Sequence, residues 1–162
     1  MGKYDWLLVF HLFGGAALVA GAVAFHTLQI ALLRSDRPTT IATLFGLGRP
    51  FELAIQVGSG AVLVFGIWLA YADQEAPKYT ITDEWIIAAI VLWVLANALQ
   101  VRGGKIYEDA RVLAKKLAAE GDEASAELRA LVRSPRAAVM TWTSTAMVFA
   151  IIVLMVWKPG AP

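Results

Sequence analysis

Four long apolar runs dominate the chain, each bounded by charged residues, proline or glycine. The first extends from Trp6 to Leu33 and the second from Phe51, after Pro50, to about Ala72. The third runs from Trp85 to about Val101 and the fourth from Ala137 to Trp157. About 20 apolar residues cross the ~30 Å hydrocarbon layer as an α-helix. The pattern therefore predicts transmembrane helices over about 6–33, 51–72, 84–101 and 137–157. The first run is longer than the ~7–15 residues of a signal-peptide core and lacks a clear small-residue cleavage site, so it is read as mature structure.

Punctuation between the runs agrees with this division. Asp5 is predicted to cap the first helix, and the charged turn Arg34-Ser35-Asp36-Arg37-Pro38 ends it. Pro50 suits a first helical turn, where no amide donor is needed. Asp73 to Thr82 reads as a polar connector containing Pro77, with Thr82 as N-cap of the third helix and Asp83 and Glu84 complementing its positive end. Ser134-Pro135 opens the fourth helix and Lys158-Pro159-Gly160 stops it.

Between the third and fourth runs, Ile106, Ala110, Leu113, Ala114 and Leu117 recur at helical spacing. Ala124, Leu128, Leu131 and Val132 do the same after the Gly121-Asp122 break. The expected fold is all-α: one polytopic membrane domain, four transmembrane helices in an up-and-down bundle, with a cytoplasmic helical hairpin over about 103–133. That hairpin is either a solvated pair whose apolar stripe closes on itself, or a docking surface or basic face for anionic headgroups. Small residues four apart, Ala16, Ala20 and Ala24 on the first helix and Ala54-Gly58 and Gly66-Ala70 on the second, predict close packing in lipid.

Composition sharpens the class. Of 162 residues, 59% are hydrophobic and the mean hydropathy is +0.63, beyond the roughly half-apolar composition of soluble domains. With no cysteine, disulfides, Fe–S clusters and thiolate metal sites are excluded. Charge is segregated. Arg34, Arg37, Arg49, Arg102, Lys105, Arg111, Lys115, Lys116, Arg129, Arg133 and Arg136 fall at one end, against Lys3, Lys78 and Lys158 at the other. Basic residues are retained on the cytoplasmic side, so both termini are expected outside a bacterial inner membrane, with 34–50 and 102–136 as cytoplasmic loops. Trp6, Trp68, Trp85 and Trp157 fall at the predicted outer ends, where indoles favour the interface. Acidic neighbours such as Glu108, Asp109 and Glu120 offset the basic residues, and no nucleic-acid motif accompanies them.

Polar side chains inside the runs are costly and face bundle interiors. His26 and Gln29 lie at a depth shared by Glu52, Gln56 and Ser59 on the second helix. Asn97 and Gln100 on the third, and Thr141, Ser144 and Thr145 on the fourth, lie there too. Two readings stand: interhelical hydrogen-bond glue with Glu52 at a helix end, or a site around His26 for a small ligand, a proton, haem or a metal. His11 lies nearer the outer end of the first helix, ~22 Å along its axis from His26. The chain has no other histidine to complete bis-imidazole ligation. Haem b or copper would therefore need a second copy, another subunit, or a methionine, with Met155 and Met140 at depths matching His11 and His26. No H-E-x-x-H, G-x-S-x-G or phosphate-binding glycine loop is present, and no inverted repeat is visible.

The segments Trp6-Leu7-Leu8-Val9-Phe10-His11-Leu12-Phe13-Gly14-Gly15, Phe25-His26-Thr27, Gln56-Val57-Gly58-Ser59-Gly60 and Met155-Val156-Trp157-Lys158-Pro159-Gly160 resemble a bacterial family of predicted integral membrane proteins of unknown function. The resemblance covers nearly the whole length and implies four spans, with a distant similarity to copper-resistance D membrane domains. It implies no activity. The sequence thus points to a non-enzymatic membrane module with a polar intramembrane site. An accessory subunit of a larger complex or homo-oligomer and a small transporter are the alternatives.

Overall fold

The computed structural model describes residues 2–72 and 79–160. The Asp73–Lys78 part of the connector, with Pro77, lies outside them. Among the described residues the chain is all-helical: α1 (Lys3–Leu33), α2 (Pro38–Tyr71), α3 (Glu84–Glu120), α4 (Ala126–Val132) and α5 (Pro135–Trp157). Four stretches are long and apolar enough to cross a membrane, α4 and α5 counting as one of them. The helices run up and down, so one end carries both termini (the terminal end) and the other carries the α1–α2 turn and α4 (the basic end). At ~1.5 Å per residue, the 37 residues of α3 are ~55 Å long, far more than the hydrocarbon layer needs. The 23 residues of α5 match that layer more closely. At the basic end α1, α2 and α3 therefore project past the start of α5.

Their projecting parts form a packed core rather than a free hairpin. Phe25 and Leu32 from α1, Ile41 and Phe45 from α2, Tyr107, Ala110 and Ala114 from α3, Leu128 and Val132 from α4, and Ala137 from α5 make one buried cluster. The stripe on α3 is thus closed by three other helices as well as by α4. This changes the reading of 34–50: only the turn before Pro38 is a loop, and α2 begins at Pro38, not Pro50. Pro50 sits inside the helix, where the missing amide and the ring cost ~3 kcal/mol. Burying Ile41 and Phe45, 1% and 5% exposed, contributes ~1.5–3 kcal/mol each, which outweighs that cost.

The helix starts also differ in detail. The N-cap of α1 is Gly2, and Asp5 accepts a hydrogen bond from the Gly2 amide at 2.7 Å. The N-cap of α3 is Asp83 rather than Thr82, its carboxylate holding the Thr80 amide and hydroxyl. Ser125 and Ser134 cap α4 and α5 by accepting from the Leu128 and Ala137 amides. Arg37 cannot cap α2. Instead, Asp122, in the turn after α3, accepts from the Thr39 amide at 2.7 Å and the Thr39 hydroxyl at 2.6 Å.

Two helix pairs make the bundle: α1 lies along α2, and α3 along α5, with α2 and α3 joining the pairs. The α1–α2 contact is backbone to backbone at Gly14, Gly21 and Gly58. A Cβ on Gly58 would fall 2.6 Å from the Gly14 carbonyl oxygen and 2.7 Å from the Leu18 nitrogen. Ala16 and Ala20, expected on this contact, are exposed, because the contact follows the Gly14–Leu18–Gly21 row and they lie two positions from Gly14 and Leu18, on the other side of the helix. Between α1 and α5 there is no extended packing.

Candidate functional site

The two helix pairs enclose a cavity of about 660 Å³ that all four long helices line. Its walls are mostly aliphatic, and its polar groups lie towards its two ends. At the basic end, His26, Ser59, Asn97, Gln100, Ser144 and Thr145 face it. At the terminal end, Tyr4, Tyr79, Trp85 and Lys158 do, with His11 and Met155 further in.

His26 is buried and has both ring nitrogens engaged. Nδ1 lies 2.7 Å from Gln29 Oε1, one helical turn away, and Nε2 lies 2.7 Å from Thr145 Oγ1 on α5. The indole of Trp142 stacks on its ring at 4.1 Å between centroids. His26 thus bridges α1 to α5, where the two helices lack backbone packing. With both nitrogens occupied, a metal would have to displace a hydrogen bond. Trp142 is half exposed and gave no signal in the sequence, because an aromatic on a membrane-facing stripe reads as lipid contact.

Ser59 and Asn97 form a second joint, between α2 and α3. The Ser59 hydroxyl donates to Asn97 Oδ1 at 3.3 Å, and Trp93 Nε1 donates to the Ser59 carbonyl at 3.2 Å. Asn97 Nδ2 returns to the Trp93 carbonyl at 2.8 Å. Ser144 is buried, and Gln100 is half-buried.

Glu52 and Gln56 are not brought to the cavity. Gln56 is exposed on the outer side of α2. Glu52 pairs loosely with Arg49 at 4.0 Å and borders a separate void of about 10 Å³ with Gln29, Phe25 and Tyr107. Gln29 Nε2 is buried without a protein partner. Spacings of four and three do not place Glu52, Gln56 and Ser59 on one buried face, since α2 turns only a narrow strip, around Ser59, towards the interior.

His11 is half-buried and differently arranged. Its Nδ1 lies 3.0 Å from the Val62 carbonyl oxygen. A carbonyl only accepts, so Nδ1 carries the proton and Nε2 keeps a lone pair. Among the described residues, no hydrogen bond engages Nε2. A main-chain partner of this kind leaves no trace in side-chain patterns. Among the described residues, no group of three or more His, Cys, Asp or Glu side chains could hold a metal ion.

Trp85 also departs from expectation. Trp6, Trp68 and Trp157 are largely exposed, as interface anchors are, but Trp85 is only 6% exposed and lines the cavity. Its Nε1 is buried without a partner. Tyr79 packs edge-on against it at 5.4 Å, and the Tyr79 hydroxyl lies 3.1 Å from Lys158 Nζ.

An all-helical bundle with four membrane-length helices around an apolar cavity defines a polytopic integral membrane protein. The chain belongs to the family described as predicted integral membrane protein (DUF2269), which matches residues 5–159. No curated protein and no solved structure gives a significant match.

Proposed function

We propose that this protein is a non-enzymatic binding module of a bacterial inner membrane that holds an apolar ligand in the cavity between its two helix pairs. The observation that carries this reading is the cavity itself: about 660 Å³, mostly aliphatic, with polar groups towards its two ends. Cofactor and ligand sites are typically ~300–1,000 Å³ with a few convergent polar groups. α1 and α5 do not pack backbone to backbone, which makes this the side from which a bilayer-soluble molecule would enter. On this reading His26, Ser59, Asn97, Gln100, Ser144 and Thr145 build the polar floor, with Gln29 outside the cavity and hydrogen-bonded to His26 Nδ1. Glu52 and Gln56 lie outside it, Glu52 beside the small void under Gln29.

The same reading sets the orientation. Eleven basic residues at the basic end, against Lys3, Lys78 and Lys158 elsewhere, support a cytoplasmic basic end and termini outside. Ala89, 4% exposed on the α3 wall of the cavity, is the position for a filling test. Protein purified from membranes is extracted and its co-purifying apolar compounds are identified by mass spectrometry. A stoichiometric compound in the wild type that Ala89→Trp lacks supports the reading. An Ala89→Trp protein that melts as wild type and retains the compound overturns it.

A further inference from the structure

We propose that the cavity is a haem b site in which His11, towards its terminal end, is one axial ligand and Met155, from the other helix pair, supplies the second. This rests on the reading that the cavity takes an apolar ligand, and it names that ligand.

The geometry of His11 is the starting point. Its Nδ1 proton is committed to the Val62 carbonyl at 3.0 Å, which fixes the tautomer and the ring and leaves the Nε2 lone pair free in a cavity wall. Metal-binding imidazoles are held this way, the far nitrogen donating to a carbonyl or carboxylate. The ring lies so close to α2 that a Cβ on Gly66 would meet its Cε1 at 3.0 Å. His26, with both nitrogens occupied, has no comparable free electron pair.

Donor number selects haem over a bare ion. Zinc needs three or four protein donors, and blue-copper sites two His and a Cys; the chain has no cysteine, and no group of three His, Cys, Asp or Glu side chains occurs among the described residues. A tetrapyrrole brings four nitrogens of its own, so one imidazole and one thioether complete the iron. Met155 lines the same cavity.

The terminal mouth fits the carboxylates of such a ligand. Lys158 stands at the cavity wall beside Tyr79, whose hydroxyl lies 3.1 Å from its Nζ. A propionate can take the ammonium and the phenol hydroxyl together, a pairing that an uncharged ligand does not offer. The aliphatic walls below suit the apolar edge of the macrocycle.

The test is titration of the purified full-length protein with hemin in detergent, followed by absorption. The expected result is saturation at one equivalent, with the Soret band of six-coordinate, low-spin iron. His11→Ala loses the bound band, and added imidazole restores it, which a merely misfolded protein would not allow. Met155→Ala keeps the haem but gives a five-coordinate, high-spin spectrum. Lys158→Gln weakens binding about tenfold, the scale of one charge-assisted hydrogen bond. No saturable binding by the wild type, or a His11→Ala protein with wild-type affinity and spectrum, overturns the proposal. An unchanged spectrum in Met155→Ala removes the sulfur ligand. If the wild type ignores hemin while Ala89→Trp still loses a co-purifying apolar compound, the haem assignment fails and the cavity reading stands.

Discussion

Asp122 caps helix α2 from 83 residues away: its carboxylate receives the Thr39 amide at 2.7 Å and the Thr39 hydroxyl at 2.6 Å. The N-terminus of α2 has no capping side chain of its own, because Arg37 offers no acceptor. The turn after α3 supplies one, with Asp122 in the left-handed region at φ 61°. On the other side of the same turn region, Arg129 and Arg133 reach Asp36 at 3.0 and 3.5 Å, and Arg133 donates to the Leu33 carbonyl. The α1–α2 turn is thus held by α4 and by the turn that precedes it.

Asp122→Ala is expected to lower the melting temperature of the detergent-solubilised protein. Asp122→Asn should recover part of the loss, since an amide oxygen still accepts from Thr39. The two Thr39 hydrogen bonds hold the Asp122 carboxyl below the ordinary carboxylate range. A depressed folded-state value means that the stabilisation is complete above the unfolded-state value and is lost as pH falls through the folded one. Wild type and Asp122→Ala should therefore converge in melting temperature only in acid. A difference that stays constant down to that range would show that the carboxylate charge contributes nothing.

At the α1–α2 contact, glycine is required at some positions and incidental at others. Gly58→Ala forces its new methyl into the Gly14 carbonyl and the Leu18 nitrogen, and the helices must separate at a cost of ~1–3 kcal/mol. Gly60 has open space around the same virtual atom, so Gly60→Ala should be neutral or stabilising by up to ~1 kcal/mol from helix propensity. Thermal unfolding of the two variants measures the contrast. Equal losses would mean that the close approach is not the determinant.

His26 and Thr145 should be coupled energetically. A double-mutant cycle with His26→Ala and Thr145→Val is expected to give an interaction of ~0.6–1.7 kcal/mol, the range of hydrogen bonds between membrane helices. Gln56→Leu, on the exposed side of α2, should combine additively with His26→Ala. Coupling of His26 to Gln56 rather than to Thr145 would contradict the packing described above.

Orientation can be tested without removing any native thiol, since the chain has no cysteine. With Ala161→Cys and Ala124→Cys introduced separately, a membrane-impermeant thiol reagent added to intact spheroplasts should label only Ala161→Cys. Labelling of Ala124→Cys alone would invert the proposed topology.

Much of the architecture is legible in the chain, since lipid imposes a simple rule: about 20 apolar residues in a row must form a helix whose backbone satisfies itself. The extension of α2 back to Pro38 was also within reach. Ile41, Phe45 and Gly48 already repeat at helical spacing, but Pro50 reads as a start, and the burial that outweighs its cost appears only when α3 and α4 pack against them. Depth likewise follows from counting residues, which is why His26, Asn97 and Ser144 could be grouped in advance.

Azimuth does not follow from counting. In a helix that is apolar all round, nothing in the pattern says which side meets protein and which meets lipid, so Gln56 and Ser59, three residues apart, could end on different sides. Nor does a sequence record a main-chain acceptor: the Val62 carbonyl that fixes the His11 tautomer is the same chemical group in every residue. By itself the chain determined four membrane-length helices and the segregation of charge, because these depend on local hydropathy and length. Only the tertiary structure decided that the helices pair two by two around a cavity, that His26 is saturated with partners, and that His11 keeps a free nitrogen. These depend on which helix faces which, a choice made by close contacts at single glycines and by hydrogen bonds between residues distant in sequence.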